Sequence, residues 1–416
     1  MRDADVAIIG AGAAGLMCAI QLARRHPDLR VVLLDGARRP GAKILVAGGG
    51  RCNVTHHAVS PDDYSGSSRG SIRKVLGRFP VSATIDFFRQ RGVELKREDT
   101  GKLFPTTDSA RTILDALTGA VTDAGVDFRF PWRVERITAS TDHFHLECDD
   151  GDGLKARRVV LATGGQALPR SGSDGKGYEF VRAMGHTVTR IFPALVPLIV
   201  PEPAFIRELS GLATPVDVRV HAGTGKRLHQ HRGDLLCTHF GLSGPVILDV
   251  SRHLLAARHA DAAAHLRLCW LPEETRESYD ARVQRLGAAS PLRDLRRDLP
   301  ERLARALCAP LPEGGSLQAS QLRREDRRLL VERVTDMSVE VTGTRGFTHA
   351  EVTAGGVPLT EVDLASMASR ITPGLFLCGE LCDVDGRIGG FNFQWAWASG
   401  NLAGTAAARA LLYAGG

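Results

Sequence analysis

Three glycines and an acid near the start of the chain stand at spacings that suit a diphosphate. Gly10, Gly12 and Gly15 fall in Gly10-Ala11-Gly12-Ala13-Ala14-Gly15, after the apolar stretch 5–9. A helix-forming stretch, 16–25, follows, with Leu16, Ala19, Ile20 and Ala23 on one stripe. A second apolar stretch, 30–34, ends in Asp35 and then Gly36. Strand, glycine turn, helix, strand and acid is the order of a dinucleotide-binding βαβ unit. Gly10 permits the tight turn, Gly12 leaves the backbone bare for a pyrophosphate, and Gly15 lets helix and strand pack closely. At the helix start, Ala13 and Ala14 present free N–H groups and a partial positive charge to phosphate. Asp35 is placed to accept hydrogen bonds from a ribose. A tight turn with no ligand is the competing reading; the flanking strand and helix and the distance to the acid count against it. The motif by itself does not choose between a nicotinamide and a flavin dinucleotide.

Three later segments make that choice. The apolar run 158–162 ends in Thr163-Gly164-Gly165, the kind of turn that flavoproteins of the glutathione-reductase type pass near their cofactor. The run 374–378 leads into Gly379-Glu380, with Asp383 three residues on, and either acid can bind a ribityl chain. Gly389-Gly390-Phe391-Asn392 precedes a helix expected from about 394 to 412. The positive end of such a helix stabilises charge on the pyrimidine edge of a reduced flavin, and Phe391 is a candidate wall for the ring. A phosphate motif at one end and a flavin-edge motif at the other imply FAD, held by a domain built from both ends of the chain. A plain NAD dehydrogenase has no need of the second motif.

Candidates for the chemistry lie between these motifs. Gly48, Gly49 and Gly50 allow backbone donors close to a flavin edge. Arg51 reads as a contact for FAD phosphate or a substrate carboxylate, or as a cap on a local carbonyl. Cys52 is a candidate catalytic thiol, but no CxxC or CxxxxC partner stands beside it, which disfavours a disulfide reductase. Asn53 reads as a loop holder through side-chain-to-backbone bonds. His239, in a glycine-rich turn between β elements, is either structural or close to substrate. Tyr178, Glu179 and Arg182 read as a helix start, and Trp395 and Trp397 as core. No metal-ligating spacing occurs. Hydride passes to or from flavin N5, while the protein supplies position, charge and exclusion of water. Two reactions on a small-molecule substrate compete: oxidation of an amine with oxygen as acceptor, and NAD(P)H-dependent reduction of a conjugated C=C bond. The second requires a proton donor such as Tyr, His or water. A different class is a non-enzymatic flavin-containing protein with a basic nucleic-acid-binding surface.

The elements that must position these residues follow from pattern and length. The chain of 416 residues, 43% hydrophobic and 24% charged, has room for two or three soluble domains. The alternating run 143–148 and its neighbours read as a β-meander, with Val134 on the preceding strand near the adenine. Strand-like runs dominate 192–272 and return at 336–351, and helical spacing fills 273–335. The expected organisation is therefore α/β: an FAD-binding domain over 1–191 and 352–416, a β-rich substrate domain over 192–272 and 336–351, and a nested helical insert over 273–335. The insert is a lid, a dimer contact or a spacer, and a homodimer stays open. The net charge is +6 and the pI about 9.0. The arginines are dispersed with no aromatic-interleaved stripe, so nucleic acid is not the expected partner. No apolar run reaches the ~18 residues of a membrane helix, and no signal peptide precedes the first strand. The eight cysteines read as thiols in a reducing cytosol, and the expected location is cytoplasmic.

A longer resemblance supports this plan. The block from Lys43 through Ala47, Gly48-Gly49-Gly50-Arg51-Cys52-Asn53, to Thr55 resembles the KxxxSGGGRCNxT signature of the BaiN/YhiN-like bacterial flavoproteins. That family includes aminoacetone-oxidase-like and bile-acid-reductase-like members. Further matches are 238–245, 352–357 and the stretch from Gly379 to Trp397. The chain departs from the pattern at Ala47, where serine is usual, and at Asp35 and Gly36, where Glu and Lys are commoner. It also departs at Cys378 and Cys382, read as packing. The resemblance implies a glutathione-reductase-like, Rossmann-type FAD domain split between the chain ends. It also implies an inserted β-barrel-like domain with a small helical domain inside it, and a role for Lys43 and the glycine triplet at the cofactor.

Overall fold

The N-terminal apolar run forms the strand Arg2–Ile9 in the computed structural model of the chain, which describes residues 2–149 and 151–412. Val6, Ala7 and Ile8 are fully buried, as expected for a parallel strand covered on both faces. The Gly-rich turn then starts the helix Ala13–Arg25, and the strand Val31–Leu34 follows. Two compact units result, one of residues up to Pro193 with those from Glu351 onward, the other Ala194–Ala350.

The first unit is built on a seven-stranded sheet. Its order is Asp127–Arg129, Val31–Leu34, Arg2–Ile9, Gly153–Leu161, Phe144–Cys148 and Val134–Ala139, with Leu375–Leu377 also on Gly153–Leu161. The long strand Gly153–Leu161 has two partners along one edge. Its first half pairs antiparallel with the meander and its second half parallel with Leu375–Leu377. The register sets Ile9 beside Leu161 and Leu161 beside Leu377. Three strands from distant parts of the chain therefore end together, and ligands of open α/β sheets bind outside such carboxyl ends.

The C-terminal helix runs Phe391–Leu412, starting three residues before the sequence suggests. It crosses the first helix at close range through small residues. A Cβ on Gly400 would lie 2.3 Å from the Ala14 carbonyl oxygen, and one on Gly404 2.3 Å from that of Cys18. This contact fixes the two ends of the chain in one layer.

The second unit carries an antiparallel sheet in the order Met337–Val339, His265–Cys269, Ala213–His221, Arg227–Thr238, Gly241–Ser243, Leu198–Ile199 and Gly343–Thr344. The helices Arg276–Arg285, Glu301–Cys308 and Arg324–Thr335 bury Tyr279, Leu303, Leu307 and Val331 in the same apolar core as Val218, Leu266 and Trp270 of the sheet. Helices and sheet in this unit share one core.

Candidate functional site

The turns after the three aligned strand ends meet. Gly10 takes φ +104°, and a Cβ there would stand 2.4 Å from the Ala162 oxygen. A Cβ on Gly15 would stand 1.8 Å from the Gly10 oxygen, and one on Gly379 2.9 Å from the Ala14 Cβ. Gly12 differs. Its φ is −79°, open to any residue, and nothing lies within 4 Å of where its Cβ would be. It begins the first helix, and no side chain caps that end. Packing within the chain thus accounts for Gly10 and Gly15 and leaves Gly12 unexplained, except as bare backbone beneath a ligand approaching the N–H groups of Ala13, Ala14 and Gly15.

Asp35 closes one side of this space. Its Oδ2 accepts from the Ala11 N–H at 2.6 Å and its Oδ1 from that of Ala37 at 2.7 Å. Burial raises its pKa, while both N–H bonds oppose the rise. Each oxygen keeps a further lone pair for a hydroxyl. The Trp132 N–H donates to the Asp35 carbonyl at 2.7 Å, and Gly36 lies against Arg133. Buried Val134, next in the chain, is brought to the same edge.

On the other side a polar network joins four segments. Lys43 Nζ lies 2.6 Å from Glu380 Oε2, and Glu380 Oε1 accepts from the Thr353 N–H at 2.8 Å. Thr353 Oγ1 accepts from the Gln166 and Ala167 N–H groups at 2.7 and 2.9 Å. The Thr163-Gly164-Gly165 turn is pressed onto this network: a Cβ on Gly165 would come within 2.4 Å of Thr353 Oγ1 and 2.7 Å of Glu380 Oε1. Glu380 therefore fixes the turn. Asp383 lies on a separate short ladder, with its carbonyl accepting from the Ser67 N–H at 2.8 Å.

The helix Ala42–Gly50 breaks at residue 47, and Gly48, Gly49 and Gly50 turn left-handed with φ of 57°, 68° and 85°. Cys52 also has positive φ, 60°, and its N–H donates to the Ala47 carbonyl. Burial pushes the Cys52 thiol up to about 12, so it stays protonated at neutral pH. Arg51 is engaged elsewhere than the sequence reading places it. Its guanidinium pairs with Glu98 at 2.6 Å, lies 3.6 Å from Asp108 and covers the Phe104 ring at 4.1 Å. Those two carboxylates already balance its charge.

Gly390, φ +93°, starts the C-terminal helix against Thr55 and Asn53; a Cβ on it would lie 2.6 Å from the Thr55 carbonyl carbon and 2.8 Å from Asn53 Oδ1. Asn392 clamps the preceding loop through both amide atoms, each 2.8 Å from a Gly386 backbone group. Phe391 does not present a ring face. It is fully buried, stacked on His56, met edge-on by Tyr64 and covered by Arg387. His239 belongs to the second unit, exposed in the turn after Arg227–Thr238, with its carbonyl accepting from Arg207 and its ring against Phe240.

Buried atoms left without partners mark the same crease. Asn53 Oδ1, Thr163 Oγ1 and Tyr178 OH have no hydrogen bond among the described residues. Buried polar atoms are rarely left so, and these three come from the glycine-triplet loop, the Ala-Thr-Gly-Gly turn and the helix Lys176–Ala183. An open glycine cradle, an uncapped helix start, a buried acid and orphaned polar atoms together fit an extended dinucleotide. Sequence reasoning gave Tyr178 to a helix start and assigned no role to Thr353. Thr353 stands within a matched motif, but nothing local shows that its hydroxyl holds a turn nearly two hundred residues away.

Comparison with known proteins agrees with this geometry. Residues 4–406 match the model of the HI0933-like protein Rossmann domain. A Clostridium scindens protein named 3-dehydro-bile acid delta(4,6)-reductase is 35% identical over 97% of this chain and 98% of its own length. An Escherichia coli protein named ribosomal RNA dihydrouridine synthase is 33% identical over 96% of each. Among solved structures, an E. coli quinol fumarate reductase superposes with a TM-score of 0.52 at 17% identity, covering all of this chain and 71% of its own. That likeness is one of fold.

Proposed function

Because this chain belongs to the HI0933-like Rossmann family and is an FAD-dependent oxidoreductase, we propose that it reduces a C=C bond conjugated to a carbonyl. The observation that carries the reading is the end-to-end match to two relatives with different substrates. A delta(4,6) 3-oxo steroid and a uracil ring each hold a C=C bond conjugated to a carbonyl, and the names of both relatives describe its saturation. The site supports this reading. All eight cysteines are buried and none forms a disulfide among the described residues, and the Cys52 thiol beside the glycine triplet is held protonated, so thiol exchange has no nucleophile there. The amine-oxidation reading finds no support in these two names. An oxidoreductase is an enzyme, so the non-enzymatic alternative does not stand.

Bound FAD supplies a two-electron hydride, taken from a nicotinamide donor. The N–H groups at 13–15 and Asp35 would hold its diphosphate and ribose. The Lys43–Glu380–Thr353 network holds the turn 163–167, which would line the cofactor together with the helix start at Gly390. The leading substrate is a small enone. A uracil base within RNA is the second reading, favoured by the dihydrouridine synthase relatives and the net charge of +6.

Turnover of a 3-oxo-Δ4,6 steroid with deuterated NADPH, then separately in D2O, tests the reaction. Mass spectrometry is expected to show one deuterium from the donor and one from solvent. An unchanged steroid together with unmodified uridines in RNA treated the same way rejects it.

A further inference from the structure

The start of the C-terminal helix is fixed by one buried amide. Gln394 lies in the first turn of Phe391–Leu412, is 1% exposed, and its backbone N–H donates to the Gly390 carbonyl at 3.0 Å. Its side chain uses both lone pairs of the oxygen and one N–H. Oε1 accepts from the Thr55 hydroxyl at 2.7 Å and from the Thr84 hydroxyl at 2.9 Å, and Nε2 donates to the Phe79 carbonyl at 2.9 Å. Thr55 opens the short strand Thr55–His56 just past the glycine triplet. Thr84 lies in the helix Val81–Arg89, with Phe79 just before it.

Two features set this amide apart from ordinary core packing. Both threonines are fully buried as well, so three polar side chains leave water together, at a cost that an apolar side chain of similar length would not incur. What the bonds add is direction: a closed polar network fixes one arrangement, where apolar contact permits sliding. Trp397, three residues on, adds a second hold on the same arm, its Nε1 donating to the Val54 carbonyl at 2.8 Å. Gln394 and Trp397 thus grip consecutive residues, Thr55 and Val54, of the arm that carries Gly48-Gly49-Gly50, while Gly390 closes on the Thr55 backbone.

We propose that Gln394 is a positioning residue: it holds the helix start at one distance from the glycine-triplet arm and so sets the preference of the site for reduced over oxidised FAD. The N–H groups that open a helix have no partner within it and carry a partial positive charge. That charge favours the electron-rich pyrimidine edge of a reduced flavin, and its effect fades within the first turn. Gln394 acts through the backbone it holds, without touching the cofactor. The inference rests on the reading that FAD occupies this cradle with its ring at the helix start.

The test compares FAD-loaded wild type with two variants. Gln394→Met keeps the length of the side chain and loses its hydrogen bonds, and Thr84→Val removes one of those bonds from the far side of the amide. The midpoint potential of the bound flavin is read by anaerobic titration against a reference dye, and the affinity for oxidised FAD by fluorescence. In Gln394→Met the preference for reduced over oxidised FAD is expected to fall by about tenfold, which makes the two-electron potential more negative by about 30 mV. Thr84→Val is expected to shift it in the same direction by less. Affinity for oxidised FAD is expected to change far less, because the groups that would hold the diphosphate and ribose are untouched. A merely structural loss lowers the melting temperature and both affinities together and leaves the potential where it was. An unchanged potential in folded, FAD-loaded Gln394→Met overturns the positioning role, and so does an unchanged potential in Thr84→Val where Gln394→Met does not fold or load. Wild type that binds no FAD overturns the cofactor reading, and the inference with it.

Discussion

At the scale of single residues, the glycines separate what the fold needs from what a ligand needs. Gly15 meets the Gly10 carbonyl so closely that even a methyl group cannot enter. Gly15→Ala is expected to cost about 3 kcal/mol or more in unfolding free energy through backbone overpacking, read by chemical denaturation of the FAD-free protein. Gly12 has empty space before it and an ordinary φ. Gly12→Val is expected to leave that stability nearly unchanged and to weaken FAD binding by a factor of about 100 or more, by loss of close approach to the helix start. Equal effects of the two substitutions would show that Gly12 is structural after all. Cys52 gives a third expectation. With its pKa pushed up to about 12, only about one thiol in 10⁴ is thiolate at pH 8. Alkylation of the native protein should therefore spare it, and rapid labelling followed by peptide mapping would contradict the burial. Gly10, Gly12, Gly15 and Asp35 were legible as a group because their roles are local in sequence. Phe391 and Arg51 were not, because His56 and Arg387, and Glu98 and Asp108, decide them from far along the chain.

At the scale of elements, the cradle depends on a few long-range joints. Lys43 is the one cation on Glu380 among the described salt bridges, and Glu380 in turn orders Thr353 and the turn 163–167. Lys43→Met leaves that carboxylate unbalanced at a cost of about 1–3 kcal/mol, and FAD affinity is expected to fall by at least about tenfold. Unchanged affinity by fluorescence titration would show that the network is ornamental to binding. In the second unit, the strand Arg227–Thr238 meets the helix Pro245–Ala260 through a histidine stack: His229 and His253 lie 3.5 Å apart, their rings within 14° of parallel. Burial depresses both, His253 to about 3. A histidine depressed in the folded state supports stability fully above its unfolded value of 6.5, and loses that support as pH falls from there toward about 3. The slope is about 1.4 kcal/mol per pH unit for a single proton. Stability should therefore decline from pH 7 to pH 5, and His253→Phe should flatten the decline. The parallel strands, glycine turn and C-terminal helix were readable from apolar runs and helix-start signals. The helix start at Phe391 and the helices within the second unit's core were not, since a helical pattern does not say which surface will cover it.

At the scale of the molecule, the two ends of the chain meet. Ile9, Leu161 and Leu377 stand in register, and Gly400 and Gly404 bring the last helix onto the first. Gly400→Val would drive a side chain into the Ala14 carbonyl and is expected to lower the melting temperature and the FAD content together. The central claim is that this joint cradle holds FAD for the reduction of a carbonyl-conjugated C=C bond. Its most direct measurement is anaerobic stopped-flow mixing of the NADPH-reduced, FAD-loaded protein with a 3-oxo-Δ4,6 steroid, and in parallel with uridine-containing RNA. The account predicts return of the oxidised-flavin absorbance with one of the two and one saturated product per flavin. A flavin that stays reduced with both and re-oxidises only when oxygen is admitted would contradict it.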